Sequence, residues 1–580
     1  MSSIFKLDLR SLALVRFLLG VLAFFDILNR FPQVVAFYSD RGIIPRWLLI
    51  DKIEIPWKTG LFNLVGDPSF VYIVSSIGLV AALMMAIGLR TRLSTFIVWV
   101  ILLSFHARFP EANHGGDNLL RLMLFMSMFL PMNAVFSVDS QLQETKIESM
   151  EFGSIFTAAW VIQILYVYFF TFYYKWTPTW FKDYDSVYYA MSLDMYTTWL
   201  GDQVLKFHGL MKFMSFYAFW LEGLGPFLIL ISYKRDFYRG IAVLLFWGLH
   251  LGIWVTMVLG NFPPGCLILW CALIPTSWWN WLTIKLTKKK ETGILYYDPE
   301  CGFCRKFSHI IRSMFLLHNV EVKAANESAA VLDIVKNQKT WVFQADGQYY
   351  LRFKAFEKLL TYSYCKALAV FDLMKFSSWG GDFIYRVLSS YRYTWGVLLN
   401  KISFSEVQLA PSKFKKTIGL VFIALTFAWN LEGAKVLPGL KLSTPIDEIV
   451  FSMQWNQQWN MFAPKPMRND GWFITEATLT DGRTWDILHD REYSEQRPDE
   501  LHVMYQSSQW RKFLVNLYSD RDQTYLLWFG KYLCRHWNDF EKHSAQVQSY
   551  KLIFMRELTH APDAEPNPIE KVVVWNHQCF

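Results

Sequence analysis

YVYFFTFYYKWTPTWF, residues 166–181, ends an apolar stretch that begins near residue 152 and sets one lysine, Lys175, among aromatic rings. About 20 consecutive apolar residues cross the hydrocarbon core of a bilayer, so the stretch predicts the end of a transmembrane helix. A lysine there is either an anchor snorkelling to the interface or a reagent. For the second role Phe172, Tyr173, Tyr174 and Trp176 supply apolar walls; burial penalises the charged amine, lowers its pKa and leaves a neutral base.

The rest of the chain repeats that apolar signal. Of 580 residues 53% are hydrophobic and 18% aromatic, too apolar for a soluble protein of this length. The formal charge of +8 lies in short clusters at the ends of apolar runs, which speaks for membrane topology and against a nucleic-acid partner. Roughly nine spans are expected, near 11–28, 69–88, 93–109, 118–136, 152–173, 213–232, 239–259, 263–282 and 417–434. With the N-terminus inside, the basic clusters Arg90/Arg92, Lys234/Arg235/Arg239, Lys285/Lys288–Lys290 and Lys413/Lys415/Lys416 all fall on the cytoplasmic side. The fold class expected is therefore an α-helical polytopic membrane protein with an inserted α/β domain and a C-terminal α+β domain.

Four segments follow: a transmembrane domain at 1–290, the insert at 291–405, an additional transmembrane helix at 406–435, and an extracytoplasmic domain at 436–580. The insert alternates strand-like and helix-like pieces, with a hairpin turn at Asp346-Gly347. The last segment carries QWNMFAPKP, a hairpin at Asp481-Gly482, amphipathic helical stretches at 508–518 and 523–540, and strands at 548–557 and 571–575. Cys534 and Cys579 would then lie in an oxidising compartment, which permits a disulfide, and the sequence leaves open whether they pair.

YYDPECGFCRKF delivers Cys301 and Cys304 from a strand to the start of a helix. A helix N-terminus stabilises thiolate at the first cysteine, and the second is placed to resolve a mixed disulfide. The alternative is half of a zinc site, although no second C-x-x-C or H-x-x-H lies in the segment, and no metal is expected. Asp298, Cys301 and Cys304, with WVFQADG and GGDFIYRVLSSYRYTWG further on, resemble the DCC family of thiol-disulfide oxidoreductases. The resemblance implies a thioredoxin-like fold, with Asp298 part of the redox motif. No proline stands between 320 and 360, where thioredoxin itself carries a cis-proline facing its cysteines.

Ionisable residues in the spans are functional candidates because a bilayer penalises them: Arg16, Asp26, His106, Arg108, His114, Asp117, Arg121, Lys175, Glu222 and His250. Arg16 and Arg108 can snorkel. Glu222 and His250 form either a satisfied hydrogen-bond pair or a site. PEANHGGDNLLRLMLF gathers His114, Asp117, Asn118 and Arg121, with Gly115 and Gly116 permitting close backbone approach to a ligand.

YSDRGIIPRWLL, GLRTRLS, ANHGGDNLLRLMLFMSMFLPMNAVFSVD, YFFTFYYKWTPTWF and RGIAVLLFWGLHLGIWVTMVLGNFP, in that order, resemble the HTTM family, the membrane domain shared with vitamin K-dependent gamma-carboxylase. The resemblance implies that Lys175 is a catalytic base and His114 an active-site histidine. Asp117, Asn118, Arg121, Glu222 and His250 would bind a reduced quinone-like lipid or an unknown peptide, protein or lipid substrate. The HGGDNLLR form of the histidine motif and the fused architecture imply a bacterial inner membrane. Two other readings stand beside this one: a membrane-anchored thiol-disulfide oxidoreductase, and a binding or transport scaffold without catalysis.

Overall fold

The computed structural model describes residues 2–52, 60–141, 147–287, 292–315, 317, 319–338, 340–363, 377–391, 394, 412–437, 439–539 and 545–580. Lys288–Lys290 and much of 364–411 lie outside the described residues, so the expectations placed on them are left there.

The helical unit runs α1 (Leu9–Arg30), α2 (Pro68–Ile87), α3 (Thr91–Arg108), α4 (Gly115–Ser127), α5 (Ile155–Tyr174), α6 (His208–Leu224), α7 (Arg235–Thr256), α8 (Phe262–Cys271) and α9 (Thr276–Thr287). Local chemistry sets several starts. The carboxylates of Asp8 and Asp67 accept the Arg10 and Ser69 amides, Pro68 occupies the first turn of α2, and Ser154 and Thr157 form a reciprocal cap on α5.

Six helices among the described residues are long and apolar enough to cross a membrane: α1, α2, α5, α6 together with its 3-10 continuation to Leu230, α7 and α11 (Lys413–Gly433), before which α10 (Gly302–Met314) belongs to the cysteine-bearing unit. Their outer faces are apolar where they meet no protein, as at Ile73, Ile77 and Val80 on α2, Leu244 and Leu251 on α7, and Leu420 and Phe427 on α11. These faces mark a membrane protein.

Of the three remaining expected spans, the one near 93–109 is α3, an 18-residue helix buried along most of its length that is not among those six, and the other two take other forms. Near 263–282 the chain makes α8 and α9, bent by 83° at the break. Near 118–136 it makes α4, whose 13 residues cover ~20 Å at 1.5 Å each, short of the ~30 Å apolar core of a bilayer. α4 is buried almost throughout, and 128–137 continue it as turns.

Residues 292–363 build a sheet in the order β2–β1–β3–β4, from β1 (Gly293–Tyr297), β2 (Val320–Ala324), β3 (Val342–Ala345) and β4 (Gln348–Leu351). β1 pairs parallel with β2 through the crossover helix α10 and antiparallel with β3, which turns into β4 at Asp346-Gly347. Leu295, Ile311, Phe343 and Leu359 form its own core.

The C-terminal segment has β5 (Asn469–Leu479), β6 (Thr484–Asp486) and β7 (Arg491–Glu492), then α12 (Ser508–Asp520) and α13 (Gln523–Asn538), then β8 (Val547–Leu558) and β9 (Glu570–Gln578). The strands form an antiparallel sheet in the order β9–β8–β5–β6–β7. A disulfide joins Cys534 on α13 to Cys579 beyond β9. This segment shares one apolar core with the helical unit: Phe37 and Phe109 pack on Trp510 and Phe513 of α12.

α3 spaces the two additions apart. At its start the Arg90 and Thr91 amides donate to Asp139 at 2.9 Å each, and α10 packs against the short helix Val138–Gln141. At its far end Arg108 donates to the Ser39 and Ile44 carbonyls, and Pro110–Ala112 packs against α12. The cysteine-bearing unit and the C-terminal segment thus dock at opposite ends of an 18-residue helix, ~27 Å long.

Candidate functional site

Burial in a helical bundle forces each polar side chain to find a partner. Arg16 and Arg108, expected to snorkel, do not. Arg16 caps the Met132 carbonyl (3.0 Å) and the Phe136 carbonyl (2.5 Å), and Arg108, fully buried, caps those of Ser39 and Ile44. Both hold chain reversals together.

Several of the other buried ionisable groups line a cavity of about 870 Å³. His114, Asn118, Arg121, Lys175, Glu222 and His250 all line it, along with His106, Tyr168 and Trp180. Lys175 and His114 thus line one chamber. Asp117 stands behind the wall rather than in it.

Lys175 is the residue at which α5 ends, and its ammonium nitrogen lies 2.7 and 2.9 Å from the two carboxylate oxygens of Glu222 on α6. It also sits 4.2 Å from the centre of the Trp180 ring. The amine is one half of an ion pair on an aromatic face, not a lone group among apolar walls. The walls differ from expectation too: Tyr173 and Trp176 are exposed, and Trp180, Tyr168 and Thr171 face the cavity. At about 100° per residue, 168, 171 and 175 share one face of α5 while 169, 173 and 176 share another. That phase was readable in the sequence.

Glu222 and His250 do not pair. His250 Nε2 lies 2.6 Å from the Tyr168 hydroxyl, which also accepts from Trp270 Nε1 at 2.8 Å. The tautomer of His250 decides which of the two donates, and its Nδ1 has no hydrogen-bond partner among the described residues.

A second network stands behind His114. Asp117 Oδ2 accepts the His114 amide (3.0 Å), and its Oδ1 accepts from Arg30 (2.9 Å), which also clasps Asp26. Asn261 bridges Asp26 and Asp117. Arg121 donates to His106 Nδ1 at 2.8 Å and to Asn118 Oδ1 at 2.6 Å, which assigns the His106 proton to Nε2. Gly116 serves packing: a Cβ there would lie 2.4 Å from the Phe262 amide nitrogen, so α4 starts in contact with the 261–262 backbone, not with a ligand. Asp26, His106 and Asp117 lie close enough together to hold a metal ion, but the Arg30 guanidinium fills that place. In the same way Arg497 sits among Asp194, Asp470 and Glu557.

The QWNMFAPKP region, given no role by sequence, completes the wall. Trp180 Nε1 donates to the Phe462 carbonyl (3.1 Å) and Thr177 to that of Pro464 (2.8 Å), so both clamps fall within five residues of Lys175. Gln454 bonds the Leu103 carbonyl, and Gln163 bonds Gln457 inside the bundle. Outside the spans, Asp470 accepts the Asp194 and Met195 amides; burial first, then the neighbouring Asp194 carboxylate, pushes its pKa up to about 7. Burial likewise raises Asp194 to about 6.

The cysteines form a separate site. Cys301 and Cys304 are joined as a disulfide at the start of α10. Cys301 is buried and Cys304 is partly exposed, and the Cys304 amide donates to Cys301 Sγ at 3.2 Å. Asp298 turns the chain into the motif, its side chain accepting the Glu300 amide and its carbonyl the Cys301 amide. No curated protein and no solved structure matches the chain. Residues 295–398 match the family of DCC1-like thiol-disulfide oxidoreductases, which makes the cysteine-bearing unit a DCC1-like domain carried by a membrane protein.

Proposed function

We propose that the protein is a membrane-anchored thiol-disulfide oxidoreductase working through Cys301 and Cys304 in a thioredoxin-like domain. The observation that carries this is the cysteine pair at the start of α10, inside the matched segment. A substrate thiolate attacks the accessible sulfur of Cys304, a new intermolecular disulfide forms, and Cys301 departs as a thiolate. The Cys304 amide and the helix N-terminus steady that charge. A second thiol then releases the oxidised substrate and leaves the dithiol. This order reverses the sequence expectation, in which Cys301 meets the partner. The test is trapping: Cys301→Ser should accumulate mixed disulfides on Cys304, and Cys304→Ser should accumulate few. Failure of both variants to alter dithiol oxidation by the purified protein would sink the reading.

A second centre is favoured by the convergence of Lys175, Glu222, His114 and His250 on one cavity. We read it as a proton-transfer site of HTTM type, in which Lys175 and Glu222 share a proton and the ring of His114, lining the cavity with Nδ1 3.6 Å from Asp117 Oδ2, meets a substrate. A quinone-like lipid fits a chamber that is apolar along most of its wall, and when bound it would supply a redox-active ring. The sidedness proposed is a cytoplasmic cysteine domain and an outward cavity, in a bacterial inner membrane. Lys175→Ala should then abolish turnover of a quinone-linked substrate while dithiol oxidation persists; indifference to both Lys175→Ala and Cys301→Ser leaves only the scaffold reading.

A further inference from the structure

The charges on the cavity wall do not balance. Glu222 is the only acid among the lining residues, against Arg121, Lys175, Lys465, Arg511 and Lys512. Lys175 neutralises Glu222, and Asp117 offsets Arg121 from behind. Nothing comparable serves Arg511, which is 4% exposed. Its guanidinium donates to the Met195 carbonyl (2.8 Å) and the Val258 carbonyl and lies over the Tyr196 ring, and it makes no ion pair among the described residues. Lys512 follows it on α12, with Asp520 and Glu111 as acidic neighbours outside the cavity lining, and the exposed Lys465 follows the clamp at Pro464, so the uncompensated buried cation is Arg511. A desolvated cation without a counter-charge is costly, and an anion that enters removes the cost.

The same cavity borders the bilayer. On α7 the residues Leu249, Ile253 and Thr256 face inward, and Leu244, Leu251 and Val255 face outward. Gly248 and Gly252 line the cavity and, at about 100° per residue, fall on the seam between these two faces, toward α6. A Cβ on Gly252 would meet nothing within 4 Å, and one on Gly248 only the Tyr217 hydroxyl at 3.9 Å. The wall is thin there and chemically apolar, while the cations gather at the end closed by the C-terminal segment.

We propose that the cavity binds an anionic amphiphile, its acidic head at Arg511, Lys512 and Lys465 and its apolar tail passing between α6 and α7 over Gly248 and Gly252. The inference rests on the cavity being the membrane unit's functional site, and it adds the class of ligand and the route by which it enters.

The full-length protein in phosphatidylcholine nanodiscs would be labelled with a photoactivatable long-chain fatty acid and, separately, with the alcohol of the same chain length. Mass spectrometry would locate the label. The acid should label α6, α7 and 454–467 about tenfold more efficiently than the alcohol, a preference worth ~1.4 kcal/mol. Lys465→Gln with Lys512→Gln should erase that preference, and Gly252→Leu should reduce labelling by both probes alike. Equal labelling by acid and alcohol in the wild type overturns the proposal. So does displacement of the acid by inorganic phosphate with undiminished efficiency in Gly252→Leu, which would assign the cationic end to a free anion. Labelling needs no turnover, so an inactive Lys175→Ala protein that still labels separates this inference from the catalytic reading.

Discussion

The cysteine site and the lysine site are built by opposite means. Cys301 and Cys304 lie three residues apart, and the groups that tune them, the Asp298 turn and the Cys304 amide, lie within the same seven residues. Lys175, Glu222, His250, His114 and Phe462 come from five separate elements and meet only when the bundle has packed. A local site keeps its geometry as long as one strand and one helix hold. A distributed one inherits every defect in packing and pays for each unmatched buried charge.

The largest expected effect follows from that difference. Glu222→Ala leaves the Lys175 ammonium buried without its carboxylate and should destabilise the protein by ~3–5 kcal/mol, whereas Lys175→Met with Glu222→Leu should cost far less. Thermal unfolding in detergent measures both. Cys301→Ser with Cys304→Ser should leave the same transition nearly unmoved, because its site sits in a separate core. A loss in Glu222→Ala under 1 kcal/mol would mean that the cavity is wet enough to screen the lysine, and the contrast between the sites would weaken.

The joint between the C-terminal segment and the loop at 192–197 adds a dependence on pH. Asp470 and Asp194 hold protons in the folded protein up to about pH 7 and about pH 6. Carboxylates with raised pKa bind more protons folded than unfolded, so their contribution is complete below the ordinary carboxylate range and is lost as pH rises through 7. The melting temperature should therefore fall between pH 5 and pH 8, at no more than ~1.4 kcal/mol per unit of pH for each group titrating. Asp470→Asn should flatten the slope. A slope of opposite sign would show that the Asp470 carboxylate is ionised in the joint.

How much of this was legible in the sequence follows the same divide. The C-x-x-C motif, the hairpins at Asp346-Gly347 and Asp481-Gly482, and the strands at 547–558 and 570–578 are local signals, and local propensity carries them. Lys175 and His114 were legible as members of one cavity only through a family resemblance. Glu222 as the lysine's partner, Trp180 as its wall and Phe462 as its clamp depend on contacts 47, 5 and 287 residues away from Lys175, and no propensity encodes those. α4 misled for a physical reason: a helix buried in protein on every side is as apolar as one bathed in lipid, and only its length of 13 residues tells them apart.

The disulfide between Cys534 and Cys579 sharpens the comparison from the other side, because its two cysteines are distant in sequence and yet their link is covalent. It closes a loop of 45 residues between α13 and the chain end, which in the loop-entropy account is worth ~2–4 kcal/mol. Cys534→Ser with Cys579→Ser should lower the melting temperature correspondingly in non-reducing buffer, and reduction of the wild type should reproduce the loss.

The smallest effect expected is at Tyr168. Tyr168→Phe removes a hydroxyl that accepts from Trp270 and bonds His250 Nε2, leaving two buried partners unmatched, at ~1–3 kcal/mol. Its more telling consequence is for the histidine. With the hydroxyl gone, His250 Nε2 loses its partner, and the balance between the two ring tautomers shifts. If the cavity works as a proton-transfer site, the variant should change the pH dependence of turnover more than its affinity for substrate, with dithiol oxidation at Cys301 and Cys304 untouched. A variant that lost both activities together would mean that the two sites, although built in separate cores, are not independent.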